Sequence, residues 1–153
     1  MRTQKSVDGV KINYYYDSNK NLIALVKGND TLLFYYDSDG SATSFSYNGT
    51  MYFYVKNLQG DVIRIIDLAG TEVASYVYDA WGNIKDTKGE PTIREINPIR
   101  YRGYVYDTET SLYYLQSRYY DPFTGRFLNA DDTAFIGASG TVLSGNLFAY
   151  YEN

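Results

Sequence analysis

The stretch Leu32-Leu33-Phe34-Tyr35-Tyr36-Asp37-Ser38-Asp39-Gly40-Ser41-Ala42-Thr43-Ser44-Phe45-Ser46-Tyr47-Asn48-Gly49 decides the reading of this chain. An aromatic run closes in Tyr36-Asp37, and a turn of the form Asp-x-x-Gly follows it. Asp at the first turn position can bond the backbone two residues on, and Gly at the fourth accepts a positive φ. A second strand-like run then ends in Asn48-Gly49, the dipeptide of a tight hairpin. The stretch reads as strand, turn, strand, hairpin.

The unit recurs along the chain. Tyr is followed directly by Asp at Tyr16-Asp17, Tyr36-Asp37, Tyr78-Asp79, Tyr106-Asp107 and Tyr120-Asp121, whereas chance placement of 19 tyrosines in 153 residues would give about two such pairs. Turns open at Asp17, Asp37 and Asn57, 20 residues apart, and again at Asp67 and Asp79 at closer spacing. Between them, strands are expected at 11–16, 22–27, 31–36, 42–47, 51–55, 62–67 and 72–78, each of ordinary strand length. Runs such as Tyr14-Tyr15-Tyr16 are aromatic on both faces, which suits a wall around a large or partly wet interior, because Tyr has an apolar body and a polar tip. A sandwich with tyrosine in its core is the other architecture such a pattern allows.

Composition narrows the chemistry. Aromatics make up 18% of the chain, which favours strands over disorder. The net charge of -4 is spread without blocks, so no phosphate-backbone footprint is present and no nucleic-acid partner is expected. With no cysteine there is no disulfide framework, and with no histidine the commonest general base and metal ligand are gone. Neither a metal nor a cofactor is expected. No apolar run is long enough to span a membrane, and Met1-Arg2-Thr3-Gln4-Lys5 leads into no apolar signal segment.

Four regions are expected: strand-turn repeats over 1–84, a polar loop over 85–97, a second strand region over 98–131, and a weaker segment over 132–153 that opens with a short helix near 132–136. Residues 101–106 and 112–116 look like paired strands. Pro122 cannot donate to a ladder, so the chain turns there.

Asn97-Pro98-Ile99-Arg100-Tyr101-Arg102-Gly103-Tyr104, together with Asp121-Pro122-Phe123-Thr124-Gly125-Arg126-Phe127-Leu128-Asn129-Ala130-Asp131, resembles the core signature of the RHS/YD-repeat family. The upstream Tyr-Asp units, and Tyr78-Asp79-Ala80-Trp81-Gly82-Asn83, are similar to the repeats of that family. The resemblance implies an all-β fold of antiparallel strand-turn repeats, part of a spiral shell closed by a core-associated plug. It implies a structural role, encapsulating a C-terminal toxin domain of the same parent chain. It further implies a secreted or cell-surface parent that cuts itself by an aspartyl mechanism.

By that resemblance Asp131 is one catalytic carboxylate of the parent. Aspartyl proteolysis needs two carboxylates sharing a proton. Asp132 is not the partner, because adjacent residues of an extended chain face opposite ways. The partner motif of the family, Asp-Pro-x-Gly-Leu, does not occur after residue 125, so catalysis by this segment alone is not expected. Asp131-Asp132 also has the form of a helix cap. Arg118 and Arg126 are candidates to orient a carboxylate by bidentate bonding. Asp121, Pro122 and Gly125 are expected to form a structural turn. The segment Gly140-Thr141-Val142-Leu143-Ser144-Gly145 lacks the Lys-Ser/Thr of a phosphate loop. A carbohydrate- or surface-binding β module is the rival function. Open sheet edges are expected to promote self-association.

Overall fold

The computed structural model describes residues 1–128; the expected helix near 132–136, Asp131 and Asp132 lie outside them. The described chain is nearly all antiparallel β. Nine strands form one sheet in strict sequence order: β1 (Gln4–Val7), β2 (Val10–Tyr16), β3 (Leu22–Lys27), β4 (Asp30–Tyr36), β5 (Ala42–Tyr47), β6 (Thr50–Lys56), β7 (Val62–Ile66), β8 (Glu72–Tyr78) and β9 (Ile84–Gly89). A helical turn, α1 (Pro91–Ile96), follows. A second sheet of four strands is built from β10 (Val105–Asp107), β11 (Leu112–Leu115), β12 (Arg118–Asp121) and β13 (Arg126–Phe127).

Two kinds of turn alternate along the first half of the large sheet. Two-residue hairpins close at Asp8-Gly9 and Asn48-Gly49, with positive φ at both central residues in each case. That geometry matches the right-handed twist of the flanking strands. At the other end stand the Asp-x-x-Gly turns. Asp37 Oδ1 accepts from the amides of Asp39 and Ser41, and Asp17, Asn57, Asp67 and Asp79 do the same two and four residues on. These bonds stabilise the charged carboxylate: the Asn21 amide holds the Asp17 carboxyl below its usual range.

Each of these turns is entered through a register shift, at Tyr15/Tyr16, Tyr35/Tyr36, Val55/Lys56, Ile65/Ile66 and Val77/Tyr78. A bulge inserts one unpaired residue and increases the local twist. It also explains the two-faced tyrosines. In β2, Tyr14 is buried and Tyr15 is half exposed, and Tyr16 lies partly buried against the core. Its hydroxyl donates to the carbonyl of Arg2 at 2.7 Å. Tyr36 donates in the same way to Leu22 O and Tyr78 to Val62 O. In these three pairs the Tyr thus ties its strand back to the chain before it, and the Asp closes the turn.

The core lies on one face of the large sheet, where Ile12, Tyr14, Leu25, Leu32, Phe34, Phe45, Tyr54, Ile65, Ala74 and Tyr76 meet Ile93 and Ile99 from the segment after β9. The expected polar loop over 85–97 is instead β9 plus α1. Lys85, Asp86, Thr87 and Lys88 gave no apolar pattern because β9 is an edge strand, where charge protects the open side. Helix α1 has Pro91 at its first turn and Glu90 as cap, whose Oε2 accepts from the Ile93 amide at 2.8 Å. The expected strand over 101–106 is mostly replaced: Tyr101–Gly103 form a 3-10 turn, because Arg102 and Gly103 take positive φ, and only β10 pairs with β11, with Tyr106 opposite Tyr113.

Candidate functional site

The residues with long-range roles gather where the small sheet meets the large one. The seam has three parts. In the first, the turn after Tyr78 is gripped at successive carbonyls. Tyr101 donates to Ala80 O at 3.0 Å, Tyr120 to Trp81 O at 2.6 Å, and Tyr113 to Gly82 O at 2.8 Å. Asn83 Nδ2 adds a bond to Pro122 O at 2.8 Å. Trp81 closes over the next turn so tightly that a Cβ on Gly125 would stand 2.2 Å from its ring. Around these bonds Tyr78, Tyr101, Tyr104, Tyr106, Tyr113, Tyr120 and Phe127 pack ring against ring. Burial pushes the Tyr78 and Tyr113 hydroxyls well up, so they stay protonated donors.

The second part is a buried ionic cluster. The guanidinium of Arg2, from the segment before β1, makes two bonds to Asp107, at 2.7 and 3.0 Å. Lys5 reaches Asp107 at 2.9 Å and Glu109 at 2.9 Å. Arg2 and Asp107 have no solvent exposure, and Arg2 also lies over the rings of Tyr14 and Tyr114. Burial by itself would raise the Asp107 carboxyl; the charges of Arg2 and Lys5 and their hydrogen bonds outweigh it and hold the group below its usual range. Two cations and two carboxylates balance, as buried charge requires.

The third part surrounds Arg100. It is buried, donates to the carbonyls of Arg94, Glu95 and Asn97 at the end of α1, and lies between the rings of Tyr76 and Tyr106. Fully buried Asn97 accepts from Tyr54 at 2.6 Å and donates to Ile99 O. The large sheet joins here directly: the Val62 amide donates to Arg100 O, and Asp61 accepts from the Arg102 amide.

The residues singled out from the sequence lie in the last two strands of the small sheet and the turn between them, which borders the first part of the seam. Asp121, Pro122 and Gly125 form the turn from β12 to β13, with Asp121 Oδ1 accepting from the Phe123 amide and its carbonyl from the Gly125 amide. Arg118 is exposed, with its guanidinium 3.7 Å from the Phe127 ring centre, and no carboxylate among the described residues lies within 4.0 Å of it. Arg126 stands opposite Asp121 in the ladder. Among the described residues no group of three or more carboxylates, histidines or cysteines comes together to hold a metal. Arg2, Lys5 and Glu109 were not foreseen, since nothing local marks them. Asp107 carried a mark in its Tyr-Asp pair, but its role differs from that of the other pairs.

Comparison with known proteins sets this arrangement in context. Residues 2–151 match the family model described as Teneurin YD-shell. The tRNA3(Ser)-specific nuclease WapA of Bacillus spizizenii is 41% identical over 155 residues, covering 99% of this chain and 6% of the relative. The tRNA(Glu)-specific nuclease WapA of Bacillus subtilis subsp. natto is also 41% identical, over 164 residues, with the same coverage of 99% and 6%. Among solved structures, TcdB2-TccC3 superposes with a TM-score of 0.62 at 20% identity, over 88% of this chain and 8% of the other. At that identity the likeness is one of fold.

Proposed function

The chain belongs to the Teneurin YD-shell family, and on that premise we propose that it is a wall-and-seam segment of an RHS/YD-repeat protein whose shell encloses and presents a C-terminal toxin domain of the same parent chain. One observation carries this reading: the side-chain bonds of greatest sequence separation, from Arg2 and Lys5 to Asp107, tie the start of the repeat sheet to the small sheet, and Tyr113 and Tyr120 tie the two again at Gly82 and Trp81. Such bonding supports a part whose task is to hold a wall shut. The relatives agree with it. Two nucleases named for different tRNAs each match this segment at 41% identity, which supports a scaffold common to relatives of different specificity. The chain spans about 6% of their length, and the toxin, its target and its route belong to the parent.

Within this reading, Asp131 supplies one carboxylate of a self-cleaving aspartyl pair in the parent, with Asp132, Arg126 and Arg118 supporting it. Its partner lies in a later Asp-Pro motif. The parent acts outside the producing cell. Intact-mass analysis of the full-length gene product, with and without Asp131→Asn, tests the scheme. Cleavage that vanishes in the variant supports it, and cleavage that persists moves the catalytic role elsewhere. Encapsulation is tested separately by limited proteolysis, where a C-terminal domain digested as fast as the isolated toxin would refute it.

Both ends of the repeat sheet are edges, so the isolated segment is proposed to self-associate through β1 or β9. A single monomer mass by light scattering across concentrations would exclude that. A rival reading, a carbohydrate- or surface-binding module, draws on Tyr15 and Tyr35, which are 50% and 43% exposed on the outer face. It requires glycan or cell-wall binding that disappears in Tyr15→Ala/Tyr35→Ala.

A further inference from the structure

Two of the five turns are entered without a tyrosine, at Lys56 and at Ile66, and Lys56 alone puts a charge in its place. Tyr16 and Tyr36 each donate to a carbonyl 14 residues back, at Arg2 and Leu22. At the next unit the residue is Lys56, whose Nζ donates to Ala42 O at 2.7 Å, again 14 residues back, and to Ser41 Oγ. The ammonium replaces the hydroxyl in the bond, but the alkyl chain does not replace the ring. A groove of about 420 Å³ opens there, walled by Tyr16 and Tyr36 on one side and by Tyr104 of the seam on the other. That volume is in the range of small-ligand sites.

The charge of the groove is one-sided. Lys20, Lys56 and Arg102 line it against the single carboxylate of Asp39. Lys56 is half-buried, and no carboxylate among the described residues lies within 4.0 Å of it. An ammonium has three donors, and two of the three at Lys56 are used. A partly desolvated cation with a donor to spare attracts an anion. Aromatic walls give apolar bodies to stack against.

We propose that this groove is a binding site for a small carboxylate, with the Lys56 ammonium as its charge partner and the space of the missing tyrosine ring as its seat. The proposal is independent of both readings above. Titration of the isotope-labelled protein with glucuronate and with N-acetylglutamate amide, followed by amide shifts at Gly60 and Gly103, tests it. Saturable binding is expected for at least one, weakened about tenfold or more in Lys56→Met. Lys56→Tyr restores the repeat's own residue; it should fold, raise the melting temperature and abolish binding. Glucuronate alone binding identifies the ligand as an acidic sugar; N-acetylglutamate amide alone identifies an acidic side chain. Absence of saturable binding by either, or unchanged affinity in Lys56→Met, overturns the proposal.

Discussion

In the large sheet Asp37 closes its own turn and Tyr36 reaches back only to Leu22, so each residue of the pair works within one hairpin of its own position. In the small sheet Asp107 turns its carboxylate to Arg2, 105 residues away in sequence, and to Lys5, while Tyr120 reaches Trp81 O. The turn that Asp107 opens is closed by main chain and by Thr110 Oγ1, which accepts from the Leu112 amide. A repeated dipeptide serves local geometry where units stack on identical neighbours. Where stacking ends, Asp107 and Tyr120 are released to bind distant parts, while Asp121 still closes its own turn.

The comparison predicts a ranking of variants. Asp107→Asn leaves Arg2 and Lys5 buried with less than their balancing charge and should cost about 3–5 kcal/mol in urea unfolding. A loss as small as that at a repeat turn would break the contrast at its strongest point. Gly125→Ala forces a Cβ into Trp81 at a φ of +71° and should cost about 2–3 kcal/mol. Trp81 is the sole tryptophan, so its emission should shift as the seam loosens. Tyr113→Phe removes a buried donor from Gly82 O and should cost about 1–2 kcal/mol with the same optical change. Asp37→Ala should cost about 1 kcal/mol and leave Trp81 emission unaltered, because its bonds end within its turn. A change of Trp81 emission in Asp37→Ala would show that turns and seam are coupled.

The smallest effect is expected from pH. Asp107 has a lowered pKa, so its contribution is present above the ordinary carboxylate value of 3.8 and is lost only as pH falls through the lower folded value. Tyr36, Tyr78 and Tyr113 are raised, chiefly by burial, so their contribution is present below the ordinary value of 10.0 and fades as pH rises beyond it. With no histidine, the melting temperature should be flat between about pH 5 and 9. A transition inside that window would place an unrecognised titrating group in the seam.

The repeat sheet was legible because its causes are local. Strands β3, β5 and β8 have the expected ends, since Asp, Asn and Gly mark each turn by their own backbone preferences. Strand β9 was not legible, because an edge strand is held by main-chain bonds to β8 and carries charged side chains. Helix α1 left only Pro91 and Glu90 as marks. Arg2 and Lys5 had no mark, and neither did the groove beside Lys56.

By itself the sequence determined the class of fold and the turn positions. Each of these follows from spacing and from the conformational preference of single residues. Only the tertiary structure decided which carboxylate faces inward, which turn the three tyrosines grip, and where a lysine opens space. Those outcomes depend on which surfaces meet at the seam, and sequence neighbours do not encode the meeting of residues a hundred positions apart.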